Sequence, residues 1–331
     1  MKDDSMDKPA HPPAHGDFTA VKDAIHRLTE QIGQTIVGQE TMVELLMVAL
    51  LARGHVLIEG YPGLAKTLTA KLLSRSIDAG FSRIQFTPDL MPSDLLGTHV
   101  YNLQTSSFAF RKGPLFSNLI LIDEINRAPA KTQSALFEVM EERQVTLEGE
   151  RFVMEEPFLI IATQNPIDLE GTYPLPEAQM DRFLFKINIS YPSQEDEVQI
   201  LNRHLNIRNM HELSEIRPGL TAKDLRAYQD LVPRVHVEHQ ILKFIADLVH
   251  RTRIHRDILI GGSPRASLAL LYGARALAMI RGRDFVIPED VRDLSIPALN
   301  HRLVLTAEKE MEGGKVDEVI RHLLAQTEVP R

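Results

Sequence analysis

Five short apolar, β-prone runs constrain what this chain can fold into more than any other feature: residues 56–59, 83–86, 119–123, 158–163 and 184–190. Near-continuous apolarity over so few residues marks a strand covered on both faces. Helical patterns separate several of the runs, notably at residues 66–77 and 131–142. Strands alternating with helices imply an α/β layer on a mostly parallel sheet. Ahead of the first run, Val21, Ile25, Leu28 and Ile32 recur at helical spacing and predict a helix ending near Ile36.

Two segments break the alternation. Residues 98–103 and 108–112 flank Gln104-Thr-Ser-Ser107, and residues 144–147 and 151–154 flank Glu148-Gly-Glu150, so each segment reads as a β-hairpin. Neither hairpin is needed to finish the sheet; each is either a contact for a partner or substrate or a solvated ornament. After Tyr191-Pro192 the strand signal stops. Ser193, with Asp196 three residues on, caps a helix to about Leu205. Thr221 caps another, Ile241, Ile245 and Leu248 line a third, and Ser263-Pro264 opens the next. One more follows Pro288, and Val316, Val319, Ile320 and Leu323 line the last.

Domains usually run to about 100–200 residues, so a chain of 331 is better read as two. The break falls between about residues 195 and 218 and divides the chain into an α/β core, 17–205, and a small helical bundle, 206–331. Residues 1–16 are polar with four prolines or glycines, which predicts a disordered leader.

Composition narrows the function classes. The 37 basic and 45 acidic residues leave a net charge of −8, which argues against a general binder of nucleic acid or anionic membrane while leaving a local basic groove open. There is no cysteine, so disulfides, thiolate metal sites and a cysteine nucleophile are excluded. The thirteen histidines include no H-E-x-x-H spacing. The first residues lack the apolar stretch of a secretory signal, and no run approaches the ~20 apolar residues of a membrane span. Residues 41–52, broken by Glu44, and 266–280, broken by Arg275, read as buried helices, and Met42, Met47, Met140 and Met279 as core. A cytoplasmic location is the expectation.

The first predicted strand runs into Gly60-Tyr-Pro-Gly-Leu-Ala-Lys-Thr67. Gly60 and Gly63 let backbone amides turn inward, and the helix starting near Lys66 aims its positive end at a phosphate. Lys66 offers a point charge and Thr67 a magnesium ligand. Ala65 departs from the strict G-x-x-x-x-G-K-[ST] pattern, which has glycine there. The bland account is a glycine-rich turn with a chance Lys-Thr. The run ending in Asp123-Glu124 places two carboxylates beside a dry strand, which is costly unless a cation or donor compensates. A magnesium ion on Asp123 would compensate, and Glu124 would polarise the attacking water; the alternative is an acidic strand end capping a helix. Asn165 either orients that water or turns the chain before Pro166. Arg182 is either a salt-bridge partner of Asp181 or a nearby carboxylate, or an arginine finger. Arg265 stands in a helix's first turn, where the dipole disfavours a cation unless an anion is present.

Taken in order, Gly60-Tyr-Pro-Gly-Leu-Ala-Lys-Thr67, Ile122-Asp-Glu-Ile-Asn-Arg-Ala-Pro129, Ala162-Thr-Gln-Asn-Pro166, Leu175-Pro-Glu-Ala-Gln-Met-Asp-Arg-Phe183 and Gly261-Gly-Ser-Pro-Arg-Ala266 resemble the MoxR family of AAA+ ATPases over roughly residues 20–330. Ala65 is the residue that family usually carries. The resemblance implies an AAA+ core with a five-stranded parallel sheet, two inserted hairpins (the helix-2 insert and the pre-sensor-1 hairpin) and an all-α lid. It implies that ATP and Mg2+ bind here, with Lys66 and Thr67 as Walker A, Asp123 and Glu124 as Walker B, and Thr67 and Asp123 holding the metal. Gly60, Pro62, Gly63, Leu64, Ala65 and Leu68 would complete the nucleotide loop, and Val37 and Gly38 would border the adenine. Asn165 would be sensor 1, Arg265 sensor 2 and Arg182 a finger acting on a neighbouring subunit in a ring, usually a hexamer. A chaperone-like ATPase working with a von Willebrand A domain partner is the implied function. A nucleotide-switched binding module and, less favoured by the acidic balance, a DNA- or RNA-associated motor are the alternatives.

Overall fold

The structure, a computed structural model, describes residues 18–104, 106–166, 171–206 and 218–329. The predicted leader and residue 105, part of the first predicted hairpin, lie outside those residues, as do residues 207–217, within the predicted break. Two helices come first, α1 (Phe18–Thr35) and α2 (Glu40–Leu51). The strands are β1 (Val56–Gly60), β2 (Ile77–Asp78), β3 (Phe81–Gln85), β4 (Gly97–Asn102), β5 (Ser107–Lys112), β6 (Leu119–Asp123), β7 (Gln144–Leu147), β8 (Glu150–Val153), β9 (Leu159–Gln164) and β10 (Phe185–Ile189). Among them run α3 (Lys66–Ser76), α4 (Pro92–Leu96), α5 (Ala130–Glu142) and α6 (Glu177–Met180).

All five predicted strands form one parallel sheet in the order β10-β1-β9-β6-β3. Their residues alternate strictly between two apolar layers. Val56, Ile58, Leu119, Leu121, Leu159 and Ile161 face one, and Leu57, Ile120, Ile122, Ile160 and Ala162 the other. Burial on both faces is why the runs at the three inner strands, β1, β6 and β9, read as continuous apolar segments, whereas the edge strands β3 and β10 carry exposed Arg83, Gln85 and Asn188. The second layer is closed by α4 and α5 together with the roots of the two hairpins, β4–β5 and β7–β8. The hairpins are joined through Phe110, whose ring lies 4.3 Å from Phe152 and 5.8 Å from Phe116, and through His99 Nδ1, 3.3 Å from Glu148. The first layer carries α1, α2 and α3 and continues without a break into the helical part.

That part comprises α7 (Gln194–Asn206), α8 (Ala222–Leu231), α9 (His239–Ile254), α10 (Pro264–Ile280), α11 (Pro288–Leu299), α12 (Ala307–Met311) and α13 (Val316–Gln326). The predicted caps are present: Ser193 and Asp196 bond reciprocally, as do Thr221 and Asp224, and Ser263 Oγ accepts the Arg265 amide. Gly273 of α10 sits against β10, where an added Cβ would lie 3.0 Å from Phe185 Cζ, so helix and sheet share one core. Three short strands also lie here, where only helices were expected: β11 (Leu220–Thr221) on β2, and β12 (Ile258–Ile260) on β13 (Val304–Leu305). Two or three residues are too few to carry an alternating pattern. The four methionines are buried as expected. No helix among the described residues is long and apolar enough to cross a membrane.

A buried histidine fixes the entry of β1. The Ile160 amide donates to His55 Nδ1 at 3.0 Å, and Nε2 donates to the Met140 carbonyl at 3.3 Å, a pairing that requires the neutral ring. Burial, reinforced by the Arg143 cation, lowers the His55 pKa to about 3. The unfolded chain therefore binds a proton below pH ~6.5 that the folded chain refuses, and stability falls as pH drops from there toward 3. Denaturant unfolding at pH 7 and pH 5 should show a loss for the wild type that exceeds that of His55→Gln by about 2 kcal/mol. Equal losses in the two proteins would contradict the assignment.

Candidate active site

The strand order sets β9 between β1 and β6, so the chain leaves three adjacent strands at one edge of the sheet. Open parallel sheets bind ligands outside such carboxyl ends. Between β1 and α3 the loop turns through left-handed backbone at Gly63, φ 86°, and Ala65, φ 57°. A Cβ at Gly63 would meet nothing within 4 Å, so glycine there answers conformation rather than space. Ala65 tolerates the same region at a cost of roughly 1–2 kcal/mol. Lys66 Nζ donates to the Gly60 carbonyl at 2.5 Å, and Thr67 Oγ1 donates to Asp123 Oδ1 at 3.3 Å. Residues 62–68, Asp123, Glu124 and Asn165 line one cleft of about 400 Å³ together with Arg83, Gln85, Thr163 and Gln164.

The two carboxylates are compensated within the chain. Arg83 Nε donates to Asp123 Oδ2 at 2.6 Å, although Asp123 is only 7% exposed. Gln85 Nε2 donates to Glu124 Oε2 at 2.9 Å, and Arg127 Nε lies 3.0 Å from the same oxygen. Glu124 itself has left-handed backbone, φ 57°, and its amide donates to Thr163 Oγ1 at 3.1 Å. Two arginines and an amide thus supply the cation and the donor that the sequence calls for beside this pair. Arg83, Gln85 and Thr163 escaped the sequence reading. Their one signal was polarity at period two, Arg83-Ile-Gln85, in a run otherwise read as buried.

Arg182 and Arg265 do not join this cleft. They line a second one of about 350 Å³ with Ala52, Gly54 and His55, at the opposite end of β1. Five residues of strand at ~3.3 Å each separate the two ends by roughly 16 Å. Both arginines meet Glu141 of α5: Arg182 Nη1 donates to Oε2 at 2.9 Å and Arg265 Nη2 to Oε1 at 2.6 Å. The anion sought at the first turn of α10 is therefore this carboxylate, and the partner of Arg182 is Glu141 rather than Asp181. Arg182 Nε has no hydrogen-bond partner among the described residues. Val37 and Gly38 also lie outside the first cleft. Gly38, φ 72°, abuts Asp196 so closely that a Cβ would stand 2.7 Å from Oδ2. Tyr61 of the loop stacks on Tyr191 at 5.0 Å, two residues before the Ser193 cap.

Comparison with known proteins decides the family. The model of the ATPase family associated with various cellular activities (AAA) matches residues 55–185, and that of the AAA lid domain matches residues 250–323. Chaperone MoxR1 of Mycobacterium tuberculosis is 43% identical over 335 residues, covering 98% of this chain and 88% of its own. The chain belongs to the MoxR family of AAA+ ATPases. Protein YeaC of Bacillus subtilis is 42% identical over 304 residues, covering 92% of this chain and 94% of that one. A crystal structure from Cytophaga hutchinsonii, described as a candidate ATPase, superposes with a TM-score of 0.88 at 39% identity, covering 95% of this chain and 97% of that one. The predicted fold, an AAA+ core with five parallel strands and a helical lid, is the observed one.

For a MoxR-family chain the cleft has the chemistry a magnesium nucleotide requires. A hydroxyl and a carboxylate oxygen, the hard donors magnesium prefers, stand side by side at Thr67 and Asp123. The left-handed turns and the start of α3 supply amides for phosphate. Because β-branched residues resist positive φ, Ala65→Val should weaken binding of a fluorescent ATP analogue by at least about tenfold. Unchanged affinity would contradict the role given to this backbone.

Proposed function

We propose that this chain is a magnesium-dependent ATP hydrolase whose catalytic unit is shared between neighbouring subunits of a cytoplasmic ring, a hexamer, and that it remodels or matures partner protein complexes. The observation that carries this reading is the separation of the two half-sites to opposite ends of β1, with Lys66, Asp123 and Glu124 at one end and Arg182 and Arg265 at the other. An arginine side chain does not span that distance, which supports a reading in which both arginines would serve a neighbour's nucleotide.

Lys66 and the loop amides would hold the phosphates, and Thr67 and Asp123 would hold the metal ion, which when bound adds positive charge beside the phosphate oxygens. Glu124 would take the proton of the attacking water, Asn165 would orient that water, and the neighbour's Arg182 and Arg265 would offset the charge that develops on phosphate. Val37 and Gly38 would border the adenine. Leu103 and Phe108, 85% and 70% exposed at the end of the first hairpin, support that hairpin as a contact for the protein partner, with a von Willebrand A domain protein as the associated factor.

Gln85 and Arg127 both engage the Glu124 carboxylate, which favours a second reading, a nucleotide-switched binding module with little turnover. Partner capture that differs between the ATP and ADP states at equal, negligible hydrolysis would select it. On the leading reading Glu124→Gln binds ATP and does not turn it over. In that reading Arg182→Ala, assembled and saturated with nucleotide, hydrolyses ~10³–10⁵-fold more slowly. Wild-type turnover by either variant in a steady-state phosphate-release assay would sink the corresponding role.

A further inference from the structure

Arg302, in the segment that follows α11, is a buried cation that the catalytic assignment does not use. Its side chain is 3% exposed, and each of its three nitrogens is engaged. Nε donates to Asp181 Oδ1 at 2.6 Å, Nη2 to the carbonyls of Asp181 and Phe183 at 3.1 and 2.6 Å, and Nη1 to the carbonyls of Leu184, at 3.1 Å, and Ala298. The guanidinium thus grips the backbone on both sides of Arg182. His301 adds a further bond, from Nε2 to the Phe183 carbonyl at 3.0 Å.

The second oxygen of Asp181 carries the connection onward. Ser263 Oγ donates to Asp181 Oδ2 at 2.9 Å, and the same Oγ accepts the amide of Arg265 at 3.1 Å. One carboxylate therefore joins the segment that bears Arg182 to the helix start that bears Arg265. An ion pair this buried adds little net stability over an apolar pair of the same volume, because desolvation offsets the attraction. What it adds is direction: a planar fork and a carboxylate fix relative position more tightly than apolar contacts do.

We propose that Asp181 and Arg302 are positioning residues that set Arg182 and Arg265 as one unit for delivery to the neighbouring subunit's nucleotide. The inference rests on the shared-site reading above. It requires that weakening this joint impair a subunit as a donor of arginines while leaving its own nucleotide cleft intact.

The test is subunit mixing. Asp181→Asn should lower kcat for ATP by ~10²-fold, the cost of a misplaced group, with little change in KM. Mixed with Glu124→Gln, whose arginine face is whole, it should recover turnover, because its own cleft then faces a competent donor. Arg182→Ala mixed with Glu124→Gln is the control. Should Asp181→Asn not fold, Asp181→Asn/Arg302→Met, which removes both charges of the pair, takes its place with the same outcomes. Wild-type kcat in the variant overturns the inference, as does a loss that mixing fails to restore while Arg182→Ala is restored. Failure to restore Arg182→Ala means that the shared-site reading falls, and the inference with it.

Discussion

The dry parallel sheet is the constraint on which the rest of the molecule depends. Strands buried on both faces cannot shift register without exposing an apolar layer, so the ends of β1, β6 and β9 are held in a fixed relation. Three loops then converge, and Asp123, a carboxylate at the margin of the core, comes within hydrogen-bond reach of Thr67 and Arg83. An uncompensated charge at that depth would cost several kcal/mol. Each neighbour of Asp123 is therefore both a structural requirement and a constituent of the cleft.

The same sheet sets the distance between the two clefts. His55 anchors β1 at its entry, and the phosphate loop begins where it leaves. Glu141 holds Arg182 and Arg265 at the entry end, while Gln85 and Arg127 hold Glu124 at the exit end. In a single subunit the proposed catalytic arginines and Glu124 are thus held by other side chains at opposite ends of β1 rather than aimed at a common point. On the proposed reading, a neighbour's phosphate competes with Glu141 for the arginines, and assembly completes the site.

What was legible in the chain was what depends on local pattern. The sheet strands announced themselves through apolarity, near-continuous at β1, β6 and β9, and the helix starts through the caps Ser193, Thr221 and Ser263. The glycine loop and the Asp123-Glu124 pair stood out because their residue types are the ones that phosphate and metal chemistry calls for, and the fold brings both to one cleft. Their neighbours were not. Arg83 reaches Asp123 from the neighbouring strand, and Arg302 reaches Asp181 from 121 positions away; local pattern does not tell which residues such side chains meet. Glu141 looked like any acidic residue near a helix end, yet it is the partner of both arginines. The short strands β11, β12 and β13 were invisible because two or three residues cannot display alternation.

The central claim is that one subunit holds only half of a working site. Its most direct test is turnover per subunit measured across a dilution series, with light scattering on the same samples to report assembly. The account predicts that ATP hydrolysis per subunit falls as the ring dissociates, while nucleotide binding per subunit stays constant. Turnover per subunit that is unchanged from the assembled state down to the dilute monomer would contradict it.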